Sequence, residues 1–205
     1  MAPGFAPPPD RTALGTRIQV WGNSCSGKST LAARLGAALD LPVVELDALN
    51  WRPGWTSVRE TDRAAFDASV VEACSGSGWV VAGCYSGTSL PSIWPHLQTL
   101  VWLDLPRGLA VRRMLARSWR RWRSRELLWG QVRERFWPQL LVWRGERSLL
   151  WWIWTQHARK RRQVHSWAVD PRWRHVRFVR LGSPAAIERW IAAIEREGGA
   201  KGPPG

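Results

Sequence analysis

Short apolar runs alternate with longer amphipathic ones along this chain. "TRIQVWG", Thr16 to Gly22, is strand-like and feeds a loop of small residues. "KSTLAARLGAALD" follows, with Leu31, Leu35 and Leu39 four apart and alanines between them, the apolar stripe of a helix. "LPVVELD" (Leu41 to Asp47) predicts a second buried strand, and "NWRPGWTSV" a loop with two tryptophans. "RETDRAAFDASVVEAC" sets Phe66 and Val70 one helical turn apart. "GWVVAG", "TLVWLDL" and "HVRFVRLG" predict strands three to five. "RGLAVRRMLARSW" is a helix ending in a cationic cluster. "SPAAIERWIAAIERE" predicts a closing helix, with Ser183 as N-cap and Pro184 at its first position.

Strands that alternate with helices imply an α/β fold with a mainly parallel five-stranded sheet covered on both faces. One stretch departs from that rhythm. From Arg120 to Val164 the chain is helical in pattern and dense in Arg and Trp, which reads as a lid or insertion spanning about residues 118–164 of a domain at 16–197. "MAPGFAPPPDRTALG" reads as a loose, Pro-rich lead-in over 1–15, and residues 198–205 as a flexible C-terminal tail. There is no internal repeat and no apolar run long enough to cross a bilayer.

"GNSCSGKST" matches G-x-x-x-x-G-K-[ST] at Gly22, Gly27, Lys28 and Ser29, with a strand before it and a helix after. Gly22 lets the chain turn sharply, and Gly27 lets backbone approach a phosphate. Successive amides across Asn23, Ser24, Cys25, Ser26, Gly27, Lys28, Ser29 and Thr30 can converge on phosphate oxygens at a helix N-terminus. Lys28 reaches the β- and γ-phosphates and the Ser29 hydroxyl is placed for Mg²⁺. The implied ligands are therefore ATP (or GTP) and Mg²⁺.

Other candidates lie where strands end, the place ligands occupy in open α/β sheets. Asp47 suits a metal, an acceptor hydroxyl or its proton. Asp104 ends the fourth strand similarly, although "DLP" also suits a plain junction. The third strand has Ala82 where a second carboxylate would serve the metal. Arg113 and Arg117 share one helix face and suit phosphoryl oxygens. Trp51 and Trp55 could stack on a ring or plug the sheet edge, and Tyr85 could touch an acceptor. His157, Arg159, Lys160, Arg161 and Arg162 read as a basic tract, and the four histidines have no metal-ligand spacing.

Composition changes this picture in two ways. Three cysteines without paired spacing argue against a disulfide scaffold and for a reducing, cytoplasmic setting. The net charge of +14 is regional, because residues 107–180 hold 20 basic and 4 acidic side chains. Such a field favours polyanions. Yet Arg outnumbers Lys 27 to 3, a bias that coding composition alone can produce.

"GNSCSGKSTLAARL", "LDALNWRPGW", "WVVAGCYSGT", "VWLDLPRGLAVRRMLAR" and "ERSLLWWIW" together resemble the adenylate-kinase-like P-loop proteins often labelled DNA topology modulation proteins. The "LDxxxWxPGW" stretch, Leu46 to Trp55, is the most specific part. The resemblance implies a nucleoside-monophosphate-kinase-like fold and a nucleotide at Gly22 to Thr30. It implies Asp47 and Trp55 near the acceptor, and Arg113 and Arg117 as lid or transfer arginines. Such proteins usually read Asp-Gly-Asn-Tyr where this chain has Ala82, Gly83, Cys84 and Tyr85.

Two functions stay open on sequence. One is a kinase in which Lys28, Asp47, Arg113 and Arg117 act, and Asp47, Trp51, Trp55, Gly83 and Tyr85 hold a small-molecule or nucleotide acceptor, with Ser29 and Asp47 at the metal. The other is a nucleotide-binding regulator that contacts nucleic acid through residues 107–180. The Trp/Arg stretch could also form a homodimer contact.

Overall fold

A computed structural model describes residues 4–124, 127–128, 132–133 and 149–199. Five strands form one parallel sheet. They are β1 (Arg17–Gly22), β2 (Val43–Glu45), β5 (Trp79–Ala82), β6 (Thr99–Leu103) and β9 (Arg177–Leu181), in the spatial order β2-β5-β1-β6-β9. All four pairings are parallel, with Val20 opposite Ala82 on one side and Val101 on the other. Period-two alternation sorts each strand between two cores. Ile18, Val20, Val80, Val101, Leu103 and Val179 face one side. There α1 (Lys28–Leu39) and α8 (Pro184–Gly199) cover them with Leu31, Leu35, Trp190 and Ile194. Trp21, Trp79, Val81, Leu100, Trp102 and Phe178 face the other. They meet α4 (Arg63–Ala73) and α7 (Leu149–Ala168) through Phe66, Val70, Val164 and Trp167, and α5 (Ser86–Ser92) through Leu90. The result is three layers, as the alternation of periods predicts.

The apolar core contains one polar side chain at its centre. Gln19 is fully buried on β1. Its amide donates to Gly83 O at 3.2 Å and Ser89 Oγ at 3.1 Å, and its carbonyl accepts from Trp94 Nε1 at 2.7 Å. A buried amide with donors and acceptor satisfied costs little, whereas leaving one group unpaired costs about 1–3 kcal/mol. The network also ties the loop after β5 to β1. Trp94 stacks edge-on with Trp167 and Trp173 at centroid separations of 4.9 and 5.0 Å. Much of the tryptophan content therefore serves packing.

Several boundaries differ from the sequence expectation. Residues 4–15 are not a loose lead-in. Phe5 and Leu14 are buried, Ala6 pairs with Val179 at the sheet edge, and Trp190 Nε1 donates to Pro9 O at 2.8 Å. Isolated apolar residues among prolines carry no periodicity, so this docking had no local signal. The second strand is shorter than Leu41–Asp47. It stops at Glu45, and Asp47 lies in the first turn of α2 (Leu46–Asn50). That strand is an edge, and Val43 is exposed. The helix expected around Phe66 is two helices. α3 (Val58–Thr61) ends before Asp62, whose carboxylate caps α4 by accepting from Ala65 N at 2.9 Å. The Ser183 cap is present, accepting from Ala186 N at 3.1 Å. Within the expected lid, α6 runs Arg107–Ser124, and β7 (Leu127–Leu128) pairs antiparallel with β8 (Val132–Arg133). Residues 125–126, 129–131 and 134–148 lie outside the described residues, as does 200–205 of the expected tail. Residues 198–199 continue α8. No helix among the described residues is long and apolar enough to cross a membrane.

Replacing Gln19 with Leu should lower stability by about 1–3 kcal/mol, because Trp94 Nε1 then loses its acceptor. Urea denaturation reads this directly, and an unchanged midpoint at unchanged slope would show the network to be without energetic weight.

Candidate phosphate and acceptor cleft

The cleft is built where β1, β2, β5 and β6 end. β1 stops at Gly22 and α1 starts at Lys28, so the small-residue loop spans the turn. Gly22 is required by space: a Cβ there would lie 2.7 Å from Ser26 Oγ and 3.1 Å from Leu103. Gly27 is required by conformation, with φ of 95° in the left-handed region. Gly27 offers no side chain to cap α1, so the first-turn amides face the cleft without a side-chain acceptor. A helix start of this kind favours an anion through its N–H groups and its dipole. Lys28 Nζ donates to Asn23 O at 3.0 Å, which folds the ammonium back over the loop. Ser29 and Thr30 are exposed on the same turn. Cys25, at φ of 60°, packs beside Ala110 and Met114 of α6.

The opposite wall comes from α2 and the loop after β5. Tyr85 donates its hydroxyl to Asp47 Oδ1 at 2.7 Å. Burial, and then the adjacent Asp47 carboxylate, pushes the Tyr85 pKa well above the ordinary phenol value. The phenol is thus a fixed proton donor that aims the carboxylate. Arg59 lies over the Tyr85 ring at 5.7 Å. Gly83 presses on Leu46, since a Cβ there would come within 2.7 Å of it. Trp51 and Trp55 sit on a small hairpin, β3 (Trp51–Arg52) against β4 (Thr56–Ser57). Their rings meet edge to face at 5.4 Å. The structure places them against each other, beside the helix that carries Asp47.

The roof is α6. Arg113 Nη1 donates to Ser26 O at 3.2 Å, so this arginine reaches the loop. Arg117, one turn on, has its Nε buried with no hydrogen-bond partner. A buried guanidinium nitrogen without an acceptor is one that an anion could satisfy. Asp104 stands apart from this chemistry. It is buried and paired with Arg180 at 2.7 Å and Arg161 at 3.2 Å, so its role is to lock α7 and β9 to the end of β6. Arg161 belongs to the tract read as simply basic, and so does His157, which is buried with Nε2 3.0 Å from Leu105 O.

The loop residues fit polyphosphate oxygens. For a divalent ion, the sequence puts forward the oxygen donors Ser29 and Asp47, and Ala82 at the end of β5 adds none. No group of three or more His, Cys, Asp or Glu suited to a metal occurs among the described residues. An ion held here would therefore depend on phosphate oxygens and water for most of its shell, the usual case for Mg²⁺. Sequence reasoning missed two side chains. Cys84 closes on the loop, its Sγ accepting from Gly22 N at 3.3 Å and its thiol donating to Gly22 O at 2.8 Å. The second is Lys160 on α7, whose pKa is held below the ordinary lysine value, first by burial. The rarity of lysine in an arginine-rich chain was the available signal for it.

No model of a known protein family matches this chain, and no curated protein matches it. Solved structures do. Shikimate kinase from Acinetobacter baumannii, in complex with shikimate, has a TM-score of 0.52 at 15% identity, over 92% of this chain and 96% of that one. Shikimate kinase from Bacteroides thetaiotaomicron has a TM-score of 0.50 at 15% identity, over 89% and 97%. This chain has the nucleoside-monophosphate-kinase-like three-layer fold. A gluconokinase from Sinorhizobium meliloti 1021 is similar at 19% identity, with a TM-score of 0.46 over 92% and 95%.

Tyr85 is the chain's single tyrosine, so an absorbance titration reads it alone. The ordinary phenol value is 10.0. Folded Tyr85 should keep its proton above that pH, while the unfolded chain gives its proton up. Its contribution to stability is therefore complete below about pH 10 and is lost as pH climbs beyond. A phenolate step near pH 10 in folded protein would contradict the buried Tyr85–Asp47 pair.

Proposed function

We propose that the chain is an ATP-dependent phosphotransferase that moves the γ-phosphoryl group to a small molecule or nucleotide. GTP is the alternative donor. The observation that carries this reading is the uncapped start of α1 behind Gly22 and Gly27, with Lys28 poised over it. The fold adds support, because two structures that share it are shikimate kinases, and phosphoryl transfer to a small molecule is their named activity. The finer likeness to DNA topology modulation proteins rests on the motif residues alone.

The bound nucleotide and Mg²⁺ would supply the phosphoryl group and neutralise its charge, a bond to the acceptor oxygen forming as the bond to the bridging oxygen breaks and the nucleoside diphosphate leaves with that electron pair. The chain's own residues do the rest by position and charge. The Gly22 to Thr30 amides hold phosphate oxygens, and Lys28 leaves Asn23 O to reach the terminal ones. Ser29 and Asp47 would hold the ion. Arg113 and Arg117 stabilise charge on the phosphoryl oxygens, with the buried Arg117 Nε gaining a partner. Asp47, aimed by Tyr85, orients an acceptor hydroxyl and takes its proton. Gly83, Trp51 and Trp55 line the acceptor side.

The basic region draws less support as a nucleic-acid grip. Arg113, Arg161 and Arg180 are turned to internal acceptors, and Trp167 and Trp173 pack in or against the core.

Magnesium-ATP should bind the purified protein by calorimetry, and ³¹P-monitored ATP consumption should rise with one of a pool of sugars, nucleosides or nucleotides. Lys28→Ala should cut that turnover at least roughly a hundredfold. Binding of no purine triphosphate by folded protein would end this reading.

A further inference from the structure

Two arginines follow the tryptophan hairpin, and the fold uses them differently. Arg63 opens α4 and is closed off within the chain. Its Nε donates to Asp67 Oδ2 at 2.8 Å and its Nη2 to Gly87 O at 2.6 Å. Arg59 lies on α3 and is exposed. Among the described residues its guanidinium meets no carboxylate and donates no hydrogen bond. It is held by a ring face instead, with Cζ over Tyr85 at 5.7 Å from the centroid. A ring face attracts a cation and limits where it can go, but it does not satisfy the N–H fork as a carboxylate would. Those donors remain for solvent or a ligand.

The same tyrosine serves the acceptor-side carboxylate, since its hydroxyl donates to Asp47 Oδ1 at 2.7 Å. One phenol therefore aims Asp47 with its hydroxyl and carries Arg59 on its ring. A second link fixes the two relative to each other. Asp47 and Asn50 both belong to α2. Asn50 is buried, and its Oδ1 accepts from Arg59 N at 3.0 Å and from Ser57 Oγ at 3.2 Å. The side chain that positions the start of α3 thus comes from the helix that holds Asp47. Despite this shared support, no ion pair joins Asp47 to Arg59 among the described residues. The neighbouring carboxylates are occupied as well: Asp62 caps α4, and Asp67 takes Arg63 and Thr88. A carboxylate and a guanidinium held about one phenol, and not paired, suit a ligand that offers a hydroxyl to one and an oxyanion to the other. The planar fork of arginine matches a carboxylate or a phosphate.

We propose that the acceptor is an acidic hydroxy compound, its hydroxyl at Asp47 and its carboxylate or phosphate group held by Arg59. This rests on the phosphotransferase reading above and narrows its acceptor. Arg59 selects which compound binds, whereas the transfer step belongs to the residues already described.

The test follows ATP consumption by ³¹P resonance with separate acceptor pools. One is neutral (glycerol, glucose, ribose), one holds carboxylates (glycerate, gluconate, glucuronate), and one holds phosphate esters (glycerol 3-phosphate, glucose 6-phosphate, ribose 5-phosphate). An acidic pool should be turned over and the neutral pool should not, and the two acidic pools tell the carboxylate from the phosphate. For the active compound, Arg59→Met should raise KM about tenfold to a hundredfold, with kcat changed less than about threefold. Arg59→Lys, which keeps the charge without the fork, should fall between, and it carries the comparison alone should the Met variant not fold. Magnesium-ATP affinity by calorimetry should be equal in all of these proteins. Turnover of the neutral pool as fast as the acidic ones, an unchanged KM in Arg59→Met, or turnover of no pool by protein that binds magnesium-ATP overturns the proposal and leaves the nucleotide site in place. Wild-type protein that binds no magnesium-ATP would instead remove the phosphotransferase reading, and this one with it.

Discussion

The site depends on one steric constraint, the turn between β1 and α1. Gly22 has no room for a Cβ, and Gly27 holds a left-handed backbone angle. Together they bring a helix start, with no capping side chain, to the C-terminal end of the central strand of a parallel sheet. A helix start without a cap is costly unless water or an anion meets its amides. The parallel sheet then places the ends of β2, β5 and β6 around the same point, because every strand runs in the same direction. Asp47, Tyr85 and Arg113 reach the cleft for that reason, although they are far apart in sequence.

Charge in this protein is used in two different ways. Asp104 is an anchor, buried and shared by Arg161 and Arg180. Breaking such a pair strands a buried charge, so it holds α7 in one register, although the net gain over an apolar contact is small. Its partners keep substantial solvent exposure, which lowers its worth further. Asp47 is different. Among the described residues its hydrogen-bond partner is a neutral phenol, which orients the carboxylate without neutralising it. An anchored carboxylate beside two arginines and an oriented carboxylate beside a tyrosine are distinct devices, and only the second leaves charge available to a ligand.

The tryptophans divide similarly. Trp21, Trp94, Trp102 and Trp167 bind the sheet to α7, while Trp119, Trp122, Trp151 and Trp154 remain exposed on α6 and α7. Their number reflects a core built from large flat rings, with Gln19 satisfying the buried indole of Trp94. The departure at position 82 has a structural consequence as well. Ala82 lies opposite Val20 and Glu45 in the sheet and is buried, so the end of β5 brings no carboxylate to the cleft, whereas α2 brings Asp47.

The local pattern by itself determined the strand–helix alternation, the glycine loop, Lys28 and the Ser183 cap. Each depends on residues within a few positions of one another, and period and spacing report such relations faithfully. It also brought out Asp47 and Tyr85, whose places just past strand ends follow from the same alternation, and Arg113, from its spacing to Arg117 on one helix face. Tertiary packing alone decided that Tyr85 bonds Asp47, that Asp104 is an anchor, and that Phe5 and Leu14 belong to the core. Those outcomes depend on which face of a distant helix meets the sheet. That choice is made by summed burial and by a few long-range polar contacts, and no short stretch of residues encodes it.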